Sequence, residues 1–136
     1  MIAPDGCAQH SRRVWKKIMS KTQNKQTGKI GEDFACAFLK NKSYVIIERN
    51  WGNKWGEIDI ICKYKETVVF IEVKTKIGTE YGTPEEMVNK HKLSQIQRLA
   101  SSYPLSQNSQ LRIDVIAVVL SPDLTLKSIN HHQAVY

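Results

Sequence analysis

Apolar positions along the chain change spacing several times, and each change marks an element. From Thr27 onward Ile30, Phe34, Ala37 and Phe38 recur at helical intervals, which predicts a helix over roughly 28–41. The run SYVIIERNW, 43–51, is apolar and β-branched enough to read as a strand, and GNKWG after it is a turn-rich link. Residues 57–62 and 68–75 form two more strands joined by KYKET. In 83–86, Thr83 is a good N-cap, Pro84 suits the first helical position and Glu86 completes a capping box, so a helix is expected from there to about Tyr103. LRIDVIAVVL then reads as a buried strand and LTLKSI as a last short one. The order is α-β-β-β-α-β-β, one α/β domain with no internal linker and no repeat.

Charges interrupt this pattern in GEIDIICKYKETVVFIEVKTK, 56–76. Side chains alternate across a strand, so Glu57, Asp59 and Ile61 should share one face, opposite Ile58, Ile60 and Cys62. Val68, Phe70, Glu72 and Lys74 should likewise share a face. A two-residue turn at Lys65 and Glu66 would set Tyr64 against Thr67, Ile61 against Phe70, Asp59 against Glu72 and Glu57 against Lys74. Opposed Cβ atoms lie about 4.5–5.5 Å apart, so three carboxylates and one ammonium would gather beside an apolar patch.

Facing like charges destabilise a hairpin, and partial burial adds a desolvation cost. Either Lys74 alone offsets both in a structural ion cluster, or a divalent cation does. A hard ion such as Mg²⁺ or Mn²⁺ suits carboxylates and could neutralise charge at a phosphodiester. The residues alone leave these two readings level. An acid two positions before a lysine carries no weight in a chain with 13 acids and 20 lysines and arginines.

Composition narrows the class. The chain has 136 residues, 41% hydrophobic and 24% charged, the profile of one globular domain. No apolar run approaches the roughly 20 residues that span a bilayer, and no signal-peptide core is present, so no membrane association and a cytoplasmic location are expected. Cys7, Cys36 and Cys62 are odd in number and lack CxxC spacing, which fits a reducing compartment. The net charge of +7 points toward a polyanion, but residues 1–26 hold six lysines and arginines against one acid. That segment reads as a flexible basic tail ahead of a domain over 27–136. Adjacent His131 and His132 point apart on a strand or loop and read as surface histidines.

Taken together, GEIDII and VVFIEVKTK resemble the PD-(D/E)xK nuclease superfamily, with its restriction-endonuclease-like fold. Within it the chain resembles the YraN-like family of bacterial proteins, similar in motif layout to Holliday-junction resolvases. TGKIGED, RNWGNKWGEIDII, YGTPEEMVNKHKL and LRIDVIAV carry the likeness, in that order, over roughly 26–135. Ile58 stands where the superfamily name has Pro.

The resemblance implies an α-β-β-β-α-β core, a central mixed sheet flanked by helices. It implies a Mg²⁺- or Mn²⁺-dependent endonuclease on DNA, branched or damaged DNA included, and allows a homodimer. Asp59 and Glu72 would be metal ligands, Lys74 the catalytic lysine and Glu32 an accessory acid from the first helix. Glu57 would be a supporting acid, Lys92 a phosphate contact, and Arg112 with Asp114 a pair shaping its strand. Trp51 and Trp55 flank the turn beside the site, where stacking on an unpaired base competes with core packing for each. The rival reading is a non-catalytic nucleic-acid-binding module serving DNA repair or recombination.

Overall fold

The computed structural model describes the backbone of residues 9–79 and 82–136, and the side chains of residues 25–79, 82–83 and 86–136. The first element is a helix, α1 (Gln9–Asn41). It starts well before the expected 28. Positions 9–26 contain neither proline nor glycine, so nothing in them stops a helix propagating toward the N-terminus. Of the expected basic tail, residues 1–8 and the side chains of 9–24 lie outside the described residues.

Five strands follow in one sheet: β1 (Val45–Asn53), β2 (Gly56–Tyr64), β3 (Thr67–Ile77), β4 (Gln110–Leu120) and β5 (Leu126–His132). They lie in sequence order across the sheet. All neighbours are antiparallel except β3 and β4, which run parallel. A parallel pair needs a crossover, and the segment between β3 and β4 supplies it with α2 (Pro84–Met87) and α3 (Lys90–Ser102). This is the expected α/β order, with a mixed sheet flanked by helices.

The helix expected to run unbroken from Pro84 is two helices. Asn89 adopts extended backbone and its side-chain oxygen accepts from the Lys92 N–H at 2.9 Å, which caps α3 and ends the first run. Buried Val88 at the break anchors the bend.

Two apolar layers sandwich the sheet. Ala35, Cys36 and Leu39 of α1 pack on Ile60, Cys62, Val69, Ile71, Ile116 and Val118. Ile96, Leu99 and Ala100 of α3, with Tyr103, pack on Ile58, Ile61, Val68, Phe70 and Val115. α1 approaches β3 so closely that a Cβ at Gly31 would overlap the Thr75 side chain, which is why glycine is needed there.

Candidate functional site at a fork in the sheet

The β2–β3 ladder follows the expected register from Tyr64↔Thr67 through Ile61↔Phe70 to Ile60↔Ile71, and there it stops. Asp59 therefore does not pair with Glu72, nor Glu57 with Lys74, in the ladder. β2 instead stays with β1, pairing Glu57 with Gly52, while β3 stays with β4 as far as Ile77↔Leu120. The sheet forks at Asp59. The Val73 N–H, left without a strand partner on that side, donates to Asp59 Oδ2 at 2.8 Å, so the side chain fills the gap the backbone leaves.

The expected alternation breaks at the same place. Ile58 packs with Ile61 on the α3 side, not with Ile60 on the α1 side. On β1 the matching irregularity is Asn50, whose φ of 52° is left-handed. Asparagine tolerates that conformation because its short amide bonds locally. Here Asn50 Nδ2 donates to Glu32 Oε1 at 3.0 Å, tying α1 to the fork. Arg49 bridges Asp33 at 2.9 Å and stands 3.7 Å from Glu32. Burial, then the charge of Asp59, raises the Glu32 pKa.

Glu72 lies on β3 and is only 5% exposed. Its Oε1 faces two ammonium groups, Lys74 Nζ at 3.7 Å and Lys92 Nζ at 3.9 Å. Both are ion-pair distances, too long for hydrogen bonds. Its Oε2 is buried with no hydrogen-bond partner. Burial raises the Glu72 pKa despite the two lysines. Asp59 is pushed up to about 7, by burial first and by the Glu72 carboxylate second. Asp59, Glu72, Lys74 and Lys92 thus meet at the fork, with Glu32 beside Asp59.

A second buried acid serves as an internal control. Asp114 on β4 is fully buried, yet its two oxygens accept four hydrogen bonds: Arg112 Nε and the Ala134 N–H on Oδ1, each at 2.9 Å, and Arg112 Nη2 at 2.9 Å and His131 Nε2 at 2.7 Å on Oδ2. Its pKa is lowered, because those bonds outweigh burial. Arg112 also donates to the Tyr44 hydroxyl at 2.6 Å. This network staples β4 to β5 and to the chain after α1, and it leaves no acceptor over. His131 is thus not a surface histidine: its side chain is 3% exposed. Alternation along β5 requires one of two adjacent histidines to face inward, a signal present in the sequence and missed.

The remaining candidates separate. Glu57 is exposed on β2. Trp51 packs edge-on to Tyr103 with ring centroids 4.9 Å apart, whereas Trp55 is 59% exposed. Cys36 and Cys62 are buried, and burial raises both thiols, so neither is poised as a thiolate nucleophile.

Among the described residues no three His, Cys, Asp or Glu side chains converge into a ready-made metal cage. Mg²⁺ does not require one: it is commonly held by one or two carboxylates plus waters and substrate phosphates. The buried, unpartnered Glu72 Oε2 next to a second carboxylate fits such an ion. Leaving a buried charged acceptor unmatched costs more than the about 1–3 kcal/mol of a neutral group, and a cation would remove that cost.

The chain belongs to the uncharacterised protein family UPF0102, whose family model matches residues 31–118. It is 43% identical over 117 residues to a UPF0102 protein of Caldanaerobacter subterraneus subsp. tengcongensis, covering 83% of this chain and 96% of that one. A UPF0102 protein of Alkaliphilus oremlandii is 45% identical over 102 residues, covering 71% of this chain and 87% of that protein. One from Geotalea daltonii is 41% identical over 114 residues, covering 82% and 89%. No helix among the described residues is long and apolar enough to cross a membrane.

Proposed function

We propose that this UPF0102 protein is a Mg²⁺- or Mn²⁺-dependent phosphodiester hydrolase acting on DNA, with Asp59 and Glu72 as the cation ligands. One observation carries the reading: of two buried acids in neighbouring strands, Asp114 has every oxygen satisfied and Glu72 has one oxygen with no partner. A purely structural ion cluster would be expected to resemble Asp114.

A divalent ion held by the two carboxylates would offset charge at the phosphate and make water a better nucleophile. The chain's own groups then have separate tasks. The Val73 N–H holds Asp59 in one orientation, so its other oxygen faces the site at no entropic cost on binding. Lys74, partly exposed beside Glu72, can turn its ammonium to a non-bridging phosphate oxygen as negative charge grows there. Lys92 enters from α3 on the far side of the same carboxylate and suits a phosphate contact. Glu32, its pKa raised beside Asp59, is placed to exchange a proton with water or a leaving oxygen.

Incubation of the full chain with duplex, single-stranded and branched DNA in Mg²⁺ or Mn²⁺, with Asp59→Ala as control, tests the reading. Cleavage by the wild type alone supports it. Binding without cleavage on every substrate would leave the accessory-module reading in its place.

A further inference from the structure

A cavity of about 430 Å³ opens between the β1–β2 turn and the outer face of α3, separate from the carboxylates. That volume lies within the roughly 300–1,000 Å³ of small-ligand sites. Trp55 forms one wall, and His91, Ser94, Gln95 and Arg98 form the other, with Leu99 between. The helix residues are spaced so that one face of α3 lines the cavity while Ile96 and Ala100 pack into the core. No carboxylate stands among the described lining residues.

The exposure of Trp55 needs a cause. Its neighbour Trp51 found a place against Tyr103, and burying an aromatic ring is among the larger gains a side chain can make. Trp55 is 59% exposed and yet held in place: its N–H donates to Asn53 Oδ1 at 2.8 Å, and its C=O accepts from Gln95 Nε2 at 3.2 Å. Lys54 holds its ammonium 5.1 Å from the ring centroid. A fixed, exposed indole facing a guanidinium, with amide and hydroxyl groups between them, has the chemistry that stacks a nucleobase and hydrogen-bonds its edge.

We infer that this cavity takes a single unpaired nucleobase, so that the preferred substrate is a strand with bases free to leave the stack. The inference rests on the proposed phosphodiester chemistry and names its substrate class. Trp55 precedes Asp59 by four residues on an extended strand, about 13 Å at about 3.3 Å per residue. His91 adjoins Lys92, which reaches Glu72. A strand with a phosphate at the fork therefore passes the cavity a short way along its path. Bases inside an intact duplex are stacked and paired, and reach the cavity only at the cost of opening it.

The test is fluorescence anisotropy of a labelled mixed-sequence single strand and of its blunt duplex, with the full chain and EDTA present so that nothing is cut. Trp55→Ala should weaken single-strand binding about 5- to 150-fold, the loss of one stacked base, and leave duplex binding unchanged. Trp55→Phe should recover most of the affinity, and Arg98→Ala should lose part of it. Equal affinity of wild type and Trp55→Ala for the single strand overturns the inference. So does an equal loss on both probes, and so does absence of binding by the wild type. The metal-free readout separates this from catalysis: a protein that selects single strands through Trp55 but never cuts contradicts the hydrolase alone, and one that cuts but is indifferent to Trp55→Ala contradicts the cavity alone.

Discussion

Asp59 Oδ2 accepts the Val73 N–H at 2.8 Å where the β2–β3 ladder has ended at Ile60↔Ile71. One side chain thus replaces a backbone partner and opens the sheet beside Glu72. Removing it should do more than delete a charge. Asp59→Ala leaves a part-buried N–H unmatched, costing about 1–3 kcal/mol. Asp59→Asn keeps an acceptor for Val73 and should restore most of that stability without restoring activity. Urea denaturation of the two variants beside the wild type checks the ordering; equal stability of Ala and Asn variants would mean the bond contributes nothing.

Lys74 is partly exposed, and its contact with Glu72 is an ion pair at 3.7 Å. Its loss should therefore barely change stability or DNA affinity. Cleavage by Lys74→Ala should fall about 10²–10³-fold, the usual effect of deleting one donor to developing charge. Single-turnover cleavage and anisotropy on the same preparations measure both. A parallel loss of binding and cleavage would make Lys74 a ground-state contact instead.

Lys92 should act through affinity. Lys92→Ala should weaken binding to all DNAs alike, and the slope of log affinity against log salt should shrink by about one phosphate contact. An unchanged slope would confine Lys92 to its ion pair with Glu72.

Asp59 also gives a pH signature. Its pKa rises from 3.8 in the unfolded chain to about 7 in the fold, so the folded protein binds the proton more tightly. Stability from this group is then greatest below about pH 4 and is lost as pH rises toward 7, by on the order of a few kcal/mol. Asp114 has the opposite sign: its pKa is lowered, so its contribution is present above 3.8 and is lost on acidification. Melting temperatures in EDTA should show wild type losing ground to Asp59→Asn between pH 4 and 7, and saturating Mg²⁺ should reduce that loss. A difference independent of pH would mean Asp59 is not held in its neutral form.

The structural acid should behave unlike the site acids. Asp114→Ala strips partners from Arg112 and His131 and should cost about 3–5 kcal/mol, as when one member of a buried pair is removed. Calorimetric melting checks this. A small loss would mean the network is relaxed elsewhere by solvent.

Much of this arrangement was legible in the residues, and the exceptions have physical causes. The two-residue turn at Lys65 and Glu66 specified the register as far as Ile60↔Ile71, because turn length fixes pairing near the turn. It could not specify the fork, which depends on β1 and β4 competing for the far ends of β2 and β3. Strict alternation failed at Ile58 for the same reason. The break at Val88 and Asn89 was hidden by the stronger start signal at Thr83 and Pro84, although asparagine before KHKL is itself a cap. His131 was readable from the period of β5, but its partner Asp114 lies 17 residues away and nothing local announces it. The exposure of Trp55 and burial of Trp51 follow from where α3 crosses the turn, which only the folded chain decides.

The central claim is that Asp59 and Glu72 together hold a divalent ion, and calorimetric titration of the full chain with Mn²⁺ tests it most directly. Wild type should bind the ion with a measurable heat, and Glu72→Gln, which keeps the side-chain shape and removes the charge, should lose most of that affinity. Equal Mn²⁺ affinity in wild type and Glu72→Gln would contradict the claim and make the carboxylates and lysines at the fork a structural ion cluster.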